Sequence, residues 1–485
     1  MELNQGKKLA ETYCTSCHQF PKAKTFPKKY WEEVLPVMSF FLSAQKEGTQ
    51  LSDFKNPIAK QRLLASGLFP KAPLVTKAEW KMIQEYYFLN ASKENKPELT
   101  PNFIYKMPQF TKEVFPWKAK MEGLTYLNFY EGIYDIGYNT KTSNYHLKLD
   151  NKGNETVKTK IESPLVNVIK NGNIEFLLLL GRMANVDEPT GKIIIESKTG
   201  LSKFIESLER PIDFVIEDLD KDGVPEILVA EFGKYLGGIN IYTKGEKGVV
   251  KKNIYAKPGA IKFVLKDINK DGLKDFYVLL AQENESVYLF LNKGNLEFEK
   301  QRIISLPPDY GTTYFEMLDF DKDGDLDIIT SSGDSDDFVS VLKPNHGVRL
   351  HENLGNHKYK QVWFHKQEGS YGTVSADFDN DGDIDIASIG YYASAKNKKQ
   401  ESFLYFENIG KQKSGWSFKT YSLADDNLEN SCFMLIKAKD VDNDGDLDII
   451  LGSNAGIFGE DKKTIISKNW QNNGGAITVL KNNYK

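Results

Sequence analysis

Five copies of one acidic nine-residue pattern run through the chain from residue 218 onward. Each copy has Asp or Asn at positions 1, 3 and 5, Gly at position 6 and an acid at position 9. Alternate side chains of a tight loop converge on one centre, and Ca²⁺ requires six to eight oxygens at about 2.3–2.6 Å. We expect Gly at position 6 because a side chain would clash in so sharp a turn. The pattern therefore predicts five calcium loops with a structural role.

The predicted calcium ligands are the side chains at positions 1, 3, 5 and 9, completed by the carbonyl at position 7. They are Asp218, Asp220, Asp222 and Glu226; Asp267, Asn269, Asp271 and Asp275; Asp319, Asp321, Asp323 and Asp327; Asp377, Asp379, Asp381 and Asp385; and Asp440, Asp442, Asp444 and Asp448. One such copy by itself is as compatible with a solvated acidic turn as with a cation site. Five copies in phase favour the cation.

The loops differ from EF-hands, because position 12 lacks the bidentate Glu and holds residues such as Val229 and Thr330. Each loop is followed by a short β-branched or aromatic run, such as Ile227–Ala230 or Phe276–Leu280, which predicts a buried strand. This strand, loop, strand arrangement resembles the FG-GAP/VCBS repeat of integrin-type β-propellers. The resemblance implies calcium in the loops and an all-β propeller.

The spacing of the loops predicts the number of blades. Successive loops start 49, 52, 58 and 63 residues apart, which suits four-stranded blades with variable loops. At roughly 52 residues per blade, the propeller predicted for 119–485 has seven blades. The first two, at about 119–162 and 163–208, lack the acidic pattern.

A different motif lies near the start of the chain, at Cys14-Thr15-Ser16-Cys17-His18. C-x-x-C-H is the attachment pattern for haem c, in which Cys14 and Cys17 form thioethers and His18 becomes the proximal iron ligand. A zinc site would need a second Cys/His pair, and the next histidine is His146. The motif therefore predicts covalent haem c. The third cysteine, Cys432, lies in an apolar run and is expected to be buried.

The residues around this motif predict a small helical domain. Pro27 precedes a helix that contains Trp31, and Thr76-x-x-Glu79 is a capping box that opens a helix bearing Trp80 and Tyr87. Residues 1–95 therefore resemble a class I cytochrome c, which implies that the first and last helices cross beside the haem. Four prolines predict a semi-extended connector over 96–118.

The resemblance also implies a methionine as the sixth iron ligand. Met38 is favoured, because it lies between the haem motif and the last helix. We expect Pro36 to end the preceding helix and free Met38 to turn toward the iron. Met82, inside the last helix, and Met107, after it, are the alternatives.

Strand order predicts which loops of the propeller bind a ligand. If the acidic loops join the first and second strands of each blade, the second-to-third loops and the links between blades meet on the opposite face. These loops and links hold the polar candidates His346, Arg349, Asp334 and Tyr391, which we regard as weak catalytic candidates. Further polar residues there are Arg182, Glu231, Gln282, Glu283, Asp336, Asp337, Tyr392 and Asn454.

Two functions fit these features. The first is a redox protein in which the propeller binds a substrate or redox partner and haem c carries electrons; if it is an enzyme, it is an oxidoreductase. The second is a non-enzymatic propeller that binds a glycan or protein, with the haem domain as relay or sensor. A net charge of −4 argues against nucleic acid as a partner. Residues 1–100 are basic, with 15 Lys/Arg against 10 Asp/Glu, which suits an acidic redox partner.

Location follows from the same motif. No apolar run approaches the roughly 20 residues that cross a bilayer. Haem c is attached outside the bacterial cytoplasm, so we expect a periplasmic or extracellular protein. Met1–Asn4 do not resemble a signal peptide, so we expect the natural start to have been trimmed or assigned wrongly.

Overall fold

The computed structural model shows short helices followed by a ring of four-stranded sheets. It describes residues 2–44, 55–93, 103–105, 107–120, 122–246, 248–282, 285–334, 343–391, 399–423, 432–456 and 460–484. The α-helices are α1 (Glu2–Cys14), α2 (Lys28–Phe41), α3 (Pro57–Ala65), α4 (Lys77–Asn90) and α5 (Glu460–Asn473). No helix among these residues is both long and apolar enough to span a membrane.

Helices α3 and α4 begin where the sequence supplies capping groups. Thr76 and Glu79 form the predicted capping box at the start of α4. Asn56 caps α3 by accepting the amides of Ile58 and Ala59 at 2.9 and 3.1 Å. These side chains satisfy amides that have no partner within the helix, so both helix starts are set locally.

Helices α1 and α4 cross at Gly6. A Cβ on this residue would lie 2.3 Å from the carbonyl oxygen of Met82, so only glycine permits the close approach. The predicted crossing of the first and last helices is therefore present. Trp80 and Tyr87 of α4 and Trp31 of α2 form the buried core of this helical segment.

The prediction that Pro36 ends its helix was wrong, because α2 continues through Pro36 to Phe41. Proline removes one hydrogen bond from a helix interior. The burial of Trp31 and Leu35 against α4 offsets that loss. Met38 consequently lies within a helix and not in a turn after one.

Seven antiparallel sheets of four strands form the ring, which confirms the predicted seven-bladed propeller. The first three blades are β2 (Gly123–Tyr130), β3 (Ile133–Asn139), β4 (Asn144–Asp150) and β5 (Glu155–Ile161); β6 (Leu165–Asn171), β7 (Ile174–Leu179), β8 (Gly191–Ser197) and β9 (Gly200–Leu208); and β10 (Pro211–Glu217), β11 (Glu226–Glu231), β12 (Gly238–Gly245) and β13 (Gly248–Tyr255). The next three are β14 (Ala260–Lys266), β15 (Asp275–Leu280), β16 (Ser286–Asn292) and β17 (Phe298–Ser305); β18 (Thr312–Leu318), β19 (Asp327–Ser332), β20 (Gly347–Asn353) and β21 (Tyr359–Lys366); and β22 (Ser370–Ala376), β23 (Asp385–Gly390), β24 (Phe403–Gln412) and β25 (Gly415–Ser422). Blade 7 contains β26 (Phe433–Lys439), β27 (Asp448–Ser453) and β28 (Ile477–Asn482).

The fourth strand of blade 7 comes from the other end of the propeller sequence. It is β1 (Phe110–Val114), which pairs antiparallel with β28 from Phe110 opposite Asn482 to Val114 opposite Thr478. The structure thus differs from the predicted connector over 96–118, part of which is a strand. The local sequence carries four prolines and no clear alternation, and the strand exists because β28 offers an unpaired edge.

The ring has two faces. The acidic-loop face carries the connections between the first and second strands of each blade, as predicted. The link face carries the second-to-third loops, the helix α5 and the links between blades. The first strand of every blade has a bulge near its link-face end. Such bulges turn side chains at a rim.

The N-terminal helices lie against the link face of blades 2 to 4. Arg62 of α3 pairs with Glu209 and donates to the Asp187 carbonyl at 2.9 Å. Asn56 donates to Glu188 at 2.9 Å, and the Phe41 ring lies 5.5 Å from that of Tyr235. The helical segment is therefore seated on the face predicted to bind a ligand.

Blades 1 and 2 lack acidic loops and are joined by buried ion pairs. His146 of β4 contacts Asp135 at 2.6 Å and Glu196 of β8 at 2.5 Å, and its side chain is fully buried. Burial lowers the pKa of His146, but hydrogen bonds to both carboxylates outweigh this and raise it to about 9. Lys148 pairs with Glu175 of β7 beside it. A charged histidine thus ties the two blades together.

We expect His146 to make stability depend on pH. Because its folded pKa is raised, its contribution is fully present below the unfolded pKa of about 6.5 and is lost as pH rises through about 9, at a cost of about 3 kcal/mol. Urea unfolding of wild type and H146Q across this range measures the effect. H357Q, at a histidine outside the ion pairs, is the control and keeps the wild-type pH dependence. A wild-type curve parallel to that of H146Q contradicts the assignment.

Candidate functional site

The acidic loops share one backbone conformation. Position 4 is left-handed in all five, although it holds Lys or Asn, with φ between 54 and 62° at Lys221, Lys270, Lys322, Asn380 and Asn443. The glycine at position 6 also has positive φ, for example 96° at Gly324. A Cβ on Gly324 would meet no atom of more distant residues within 4 Å, so the strain of a side chain there is local to the turn. Its φ, and not lack of space, requires glycine.

The position-1 aspartates turn one carboxylate oxygen into each loop. Their Oδ2 atoms accept the position-6 amide, as Asp319 does from Gly324 at 3.1 Å. The Oδ1 atoms of Asp267, Asp319 and Asp377 are buried and have no hydrogen-bond partner. A buried carboxylate oxygen without a donor is costly unless a cation compensates it. The donor set therefore fits a hard cation.

Side-chain oxygens converge in four of the five loops. In each group the ligand atoms lie within 4.8 Å of one another, and among the described residues these groups are Asp218, Asp220 and Glu226; Asp319, Asp321 and Asp327; Asp377, Asp379 and Asp381; and Asp440, Asp442 and Asp448. In the loop at Asp267, Asn269 instead donates to Asp271 at 2.8 Å. Burial and the Asp444 carboxylate raise the pKa of Asp446 to about 6, as crowding of acids requires.

The position-9 acid also connects its loop to the third strand of the blade. Asp327 is buried, its Oδ2 accepts the Phe320 amide at 2.9 Å, and its Oδ1 accepts the Asn353 amide at 2.8 Å. Asp275, Asp385 and Asp448 repeat this arrangement. The acid thus clamps its own loop to the third strand of the blade, and its role as a calcium ligand stays a prediction.

Sequence reasoning missed the asparagines that complete this clamp. They are Asn292, Asn353, Asn408 and Asn482, at the third-strand position that faces the acid. Asn292 also donates to the Leu219 carbonyl of the preceding blade at 2.8 Å, and Asn482 donates likewise to Phe378 at 2.7 Å. The recurring Asn-x-Gly at the first three was the available signal.

The CxxCH segment begins at Cys14, the last residue of α1. All three cysteines are free thiols, with Cys14 half-buried, Cys17 exposed and Cys432 buried as predicted. Burial raises the pKa of Cys14 to about 11. His18 directs Nδ1 to the Gln19 carbonyl at 2.8 Å, and among the described residues its Nε2 has no partner. This arrangement fixes the ring and leaves Nε2 available as a ligand.

Two further side chains of the helical core bear on a cofactor. The indole N–H of Trp80 is buried without a hydrogen-bond partner. Met38 packs against the same core as Cys14 and Phe20, whereas Met107 packs against the propeller core around Phe378. The structure thus places Met38 near the motif and Met107 away from it.

The link face carries a group of buried charged residues at blades 4 and 5, here called the blade-5 cluster. It consists of Glu285, Asp309, Lys343, His346 and Arg349, each at most 9% exposed. Burial raises the pKa of Glu285 to about 7, although Gly311 and Thr312 donate to it. Burial and the Lys343 ammonium hold the pKa of His346 well below its usual value, so the ring is neutral.

The weak catalytic candidates do not form one site. His346 and Arg349 belong to the blade-5 cluster, and Asp334 lies beside it, with its amide donating to the Gly311 carbonyl at 3.0 Å. Tyr391 instead packs on Tyr371, 5.3 Å between ring centres, in the core between blades 6, 7 and 1. Glu283, Asp336, Asp337 and Tyr392 lie outside the described residues.

The blade-5 cluster adjoins the CxxCH segment. Gln19, directly after His18, donates to the Ser305 hydroxyl at 2.7 Å. The next residue, Leu306, donates its amide to the Glu285 carbonyl at 2.8 Å. Two hydrogen bonds, from Gln19 to Ser305 and from Leu306 to Glu285, therefore connect the motif to the cluster.

Comparison with known proteins supports the fold. A model described as FG-GAP-like repeat matches residues 267–330, so the chain contains such a repeat within its propeller. No curated protein matches the chain. Similar solved structures include the N-terminal domain of Nup159 (8% identity, 78% of this chain and 97% of that chain, TM-score 0.43) and a periplasmic gluconolactonase of Pseudomonas aeruginosa (10%, 62% and 85%, TM-score 0.37). These similarities are too weak to support a statement about function.

The left-handed φ of Gly324 predicts a cost for any side chain there. We expect G324A to lower the free energy of unfolding by about 1–2 kcal/mol, because alanine is strained at φ 96°. Chemical denaturation measures this cost. G372A is the matched control, since Gly372 has no positive φ and a Cβ there makes only ordinary contacts from 3.5 Å. Equal losses in the two variants are incompatible with a conformational origin.

Proposed function

We propose that this chain is a haem c electron-transfer protein with a calcium-stabilised propeller, whose link face binds a substrate or redox partner. The observation that carries the proposal is the Gln19–Ser305 contact, which seats the CxxCH segment on the link face beside the blade-5 cluster. Electron transfer requires such proximity between a redox group and the bound molecule. An adhesion propeller has no need of it.

The residues of the helical segment fit haem c and support a cytochrome c-like domain. Cys14 and Cys17 would hold it through thioethers, and His18 through Nε2. Met38 would supply the sixth ligand, since it packs on the same core. When bound, the haem supplies one-electron chemistry, and the buried N–H of Trp80 is a donor available to its acidic groups. Because haem c is attached outside the bacterial cytoplasm, the proposal implies a periplasmic or extracellular protein.

The acidic loops fit Ca²⁺, and the calcium role is structural. The unpartnered oxygens of Asp267, Asp319 and Asp377 point to a cation in those loops. Each loop joins two strands, and in four of the five the position-9 acid also holds a third. A bound cation would therefore rigidify whole blades and hold the ring that shapes the link face.

Removal of calcium should destabilise the propeller. A ligand at 100-fold above its Kd stabilises the folded state by about 2.7 kcal/mol per site, so EGTA is expected to lower the propeller melting temperature markedly. Calorimetry with and without chelator measures it. EGTA already saturated with Ca²⁺ is the control and leaves melting unchanged. A melting curve that excess EGTA does not move contradicts calcium binding.

Covalent haem should depend on the two motif cysteines. In a host with a haem-attachment system, wild type is expected to give a c-type pyridine haemochrome spectrum, and C14A/C17A none, because the thioethers are lost. C432A, at a buried cysteine of the propeller, is the matched control and retains the haem. Covalent haem in the double variant would falsify the proposal.

A further inference from the structure

Arg349 is held rigidly inside the blade-5 cluster. The residue is 2% exposed, and its guanidinium carbon lies 4.0 Å from the ring centre of Tyr310 and 4.3 Å from that of Phe364. Its Nη2 donates to the Asn345 carbonyl at 2.5 Å. Two aromatic rings and one hydrogen bond therefore fix the plane and direction of the group.

One amino group of this guanidinium is unpaired. Nη1 is buried and has no hydrogen-bond partner. An unsatisfied buried donor costs about 1–3 kcal/mol, and more when it is charged. Such a cost is retained where a ligand supplies the missing acceptor.

The nearby acids are engaged with other donors. Asp309 accepts the Asn345 side-chain amide at 2.8 Å. Glu285 accepts the Gly311 amide at 3.0 Å and the Thr312 amide at 2.8 Å. Both carboxylates are thus oriented by these hydrogen bonds and do not reach the Arg349 edge.

The geometry of Arg349 selects the ligand. Since the N–H bonds of a guanidinium lie in its plane, an acceptor for Nη1 must lie in that plane. Planar oxyanions match that edge, and carboxylates are the common partners of arginine in this arrangement. We propose that Arg349 binds the carboxylate of a small organic acid at the link face. This inference rests on the proposed role of that face as the binding surface and names the class of its ligand.

Acetate is the probe, and acetamide, its neutral isostere, is the comparison. Calorimetric titration of the full chain is expected to show millimolar acetate binding and at least tenfold weaker acetamide binding. R349K keeps the charge but loses the planar edge, and we expect at least tenfold weaker acetate binding. R302K, at an exposed arginine of β17 outside the ligand-binding loops, is the matched control and binds as wild type does.

Three outcomes overturn the inference: no acetate binding to folded wild type, equal binding of acetamide, or unchanged affinity in R349K. If R349K does not fold, as its melting curve will show, the acetate and acetamide titrations of wild type decide alone. Haem content is measured in the same preparations. Acetate binding without covalent haem refutes the electron-transfer proposal only, and covalent haem without acetate binding refutes this inference only.

Discussion

The ring depends on the pairing of β1 with β28, which joins the start of the propeller sequence to its end. A propeller closes most firmly when one blade contains strands from both the beginning and the end of the propeller sequence, because these strands then pair with each other. Here Phe110–Val114 supplies the outer strand of blade 7, and Phe110 buries its ring against Phe378 and Tyr405 of blade 6. Because the helices precede β1, closure also fixes where they join the propeller.

The two faces of this ring have different physical character. On the acidic-loop face, blades 3 to 7 repeat the same local arrangement, in which a glycine, a left-handed residue and a buried acid fold nine residues around a centre. On the link face, connections differ from blade to blade in length and composition. Repetition on one face suits a structural cation, and variation on the other suits recognition.

Ion pairs and hydrogen bonds on the link face dock the helical segment. Arg62 of α3 meets Glu209 and the Asp187 carbonyl, while the Asp187 carboxylate accepts the amides of Lys234, Tyr235 and Leu236. The carboxylate of Asp187 thus orients a loop of blade 3, while its backbone carbonyl accepts a hydrogen bond from Arg62 of the helical segment. By contrast, Arg182 and Lys192 in the shallow pocket at blade 2 are already paired with Glu188 and Glu162, so that pocket offers no free charge.

Local features of this protein follow from sequence, and distant contacts do not. The nine residues of an acidic loop, the capping box at Thr76 and Glu79 and the run Ile227–Ala230 specify their own conformation, because the interacting groups are close along the chain. Seven blades follow from their spacing. Pro36 is an exception: proline disfavours a helix interior, but the burial of Trp31 keeps α2 helical through it. Only the tertiary structure decided three other features: the pairing of β1 with β28, the ion pair of Arg62 with Glu209 and the packing of Arg349 on Tyr310. Each joins residues that are far apart in the sequence, so the residues around one partner do not identify the other.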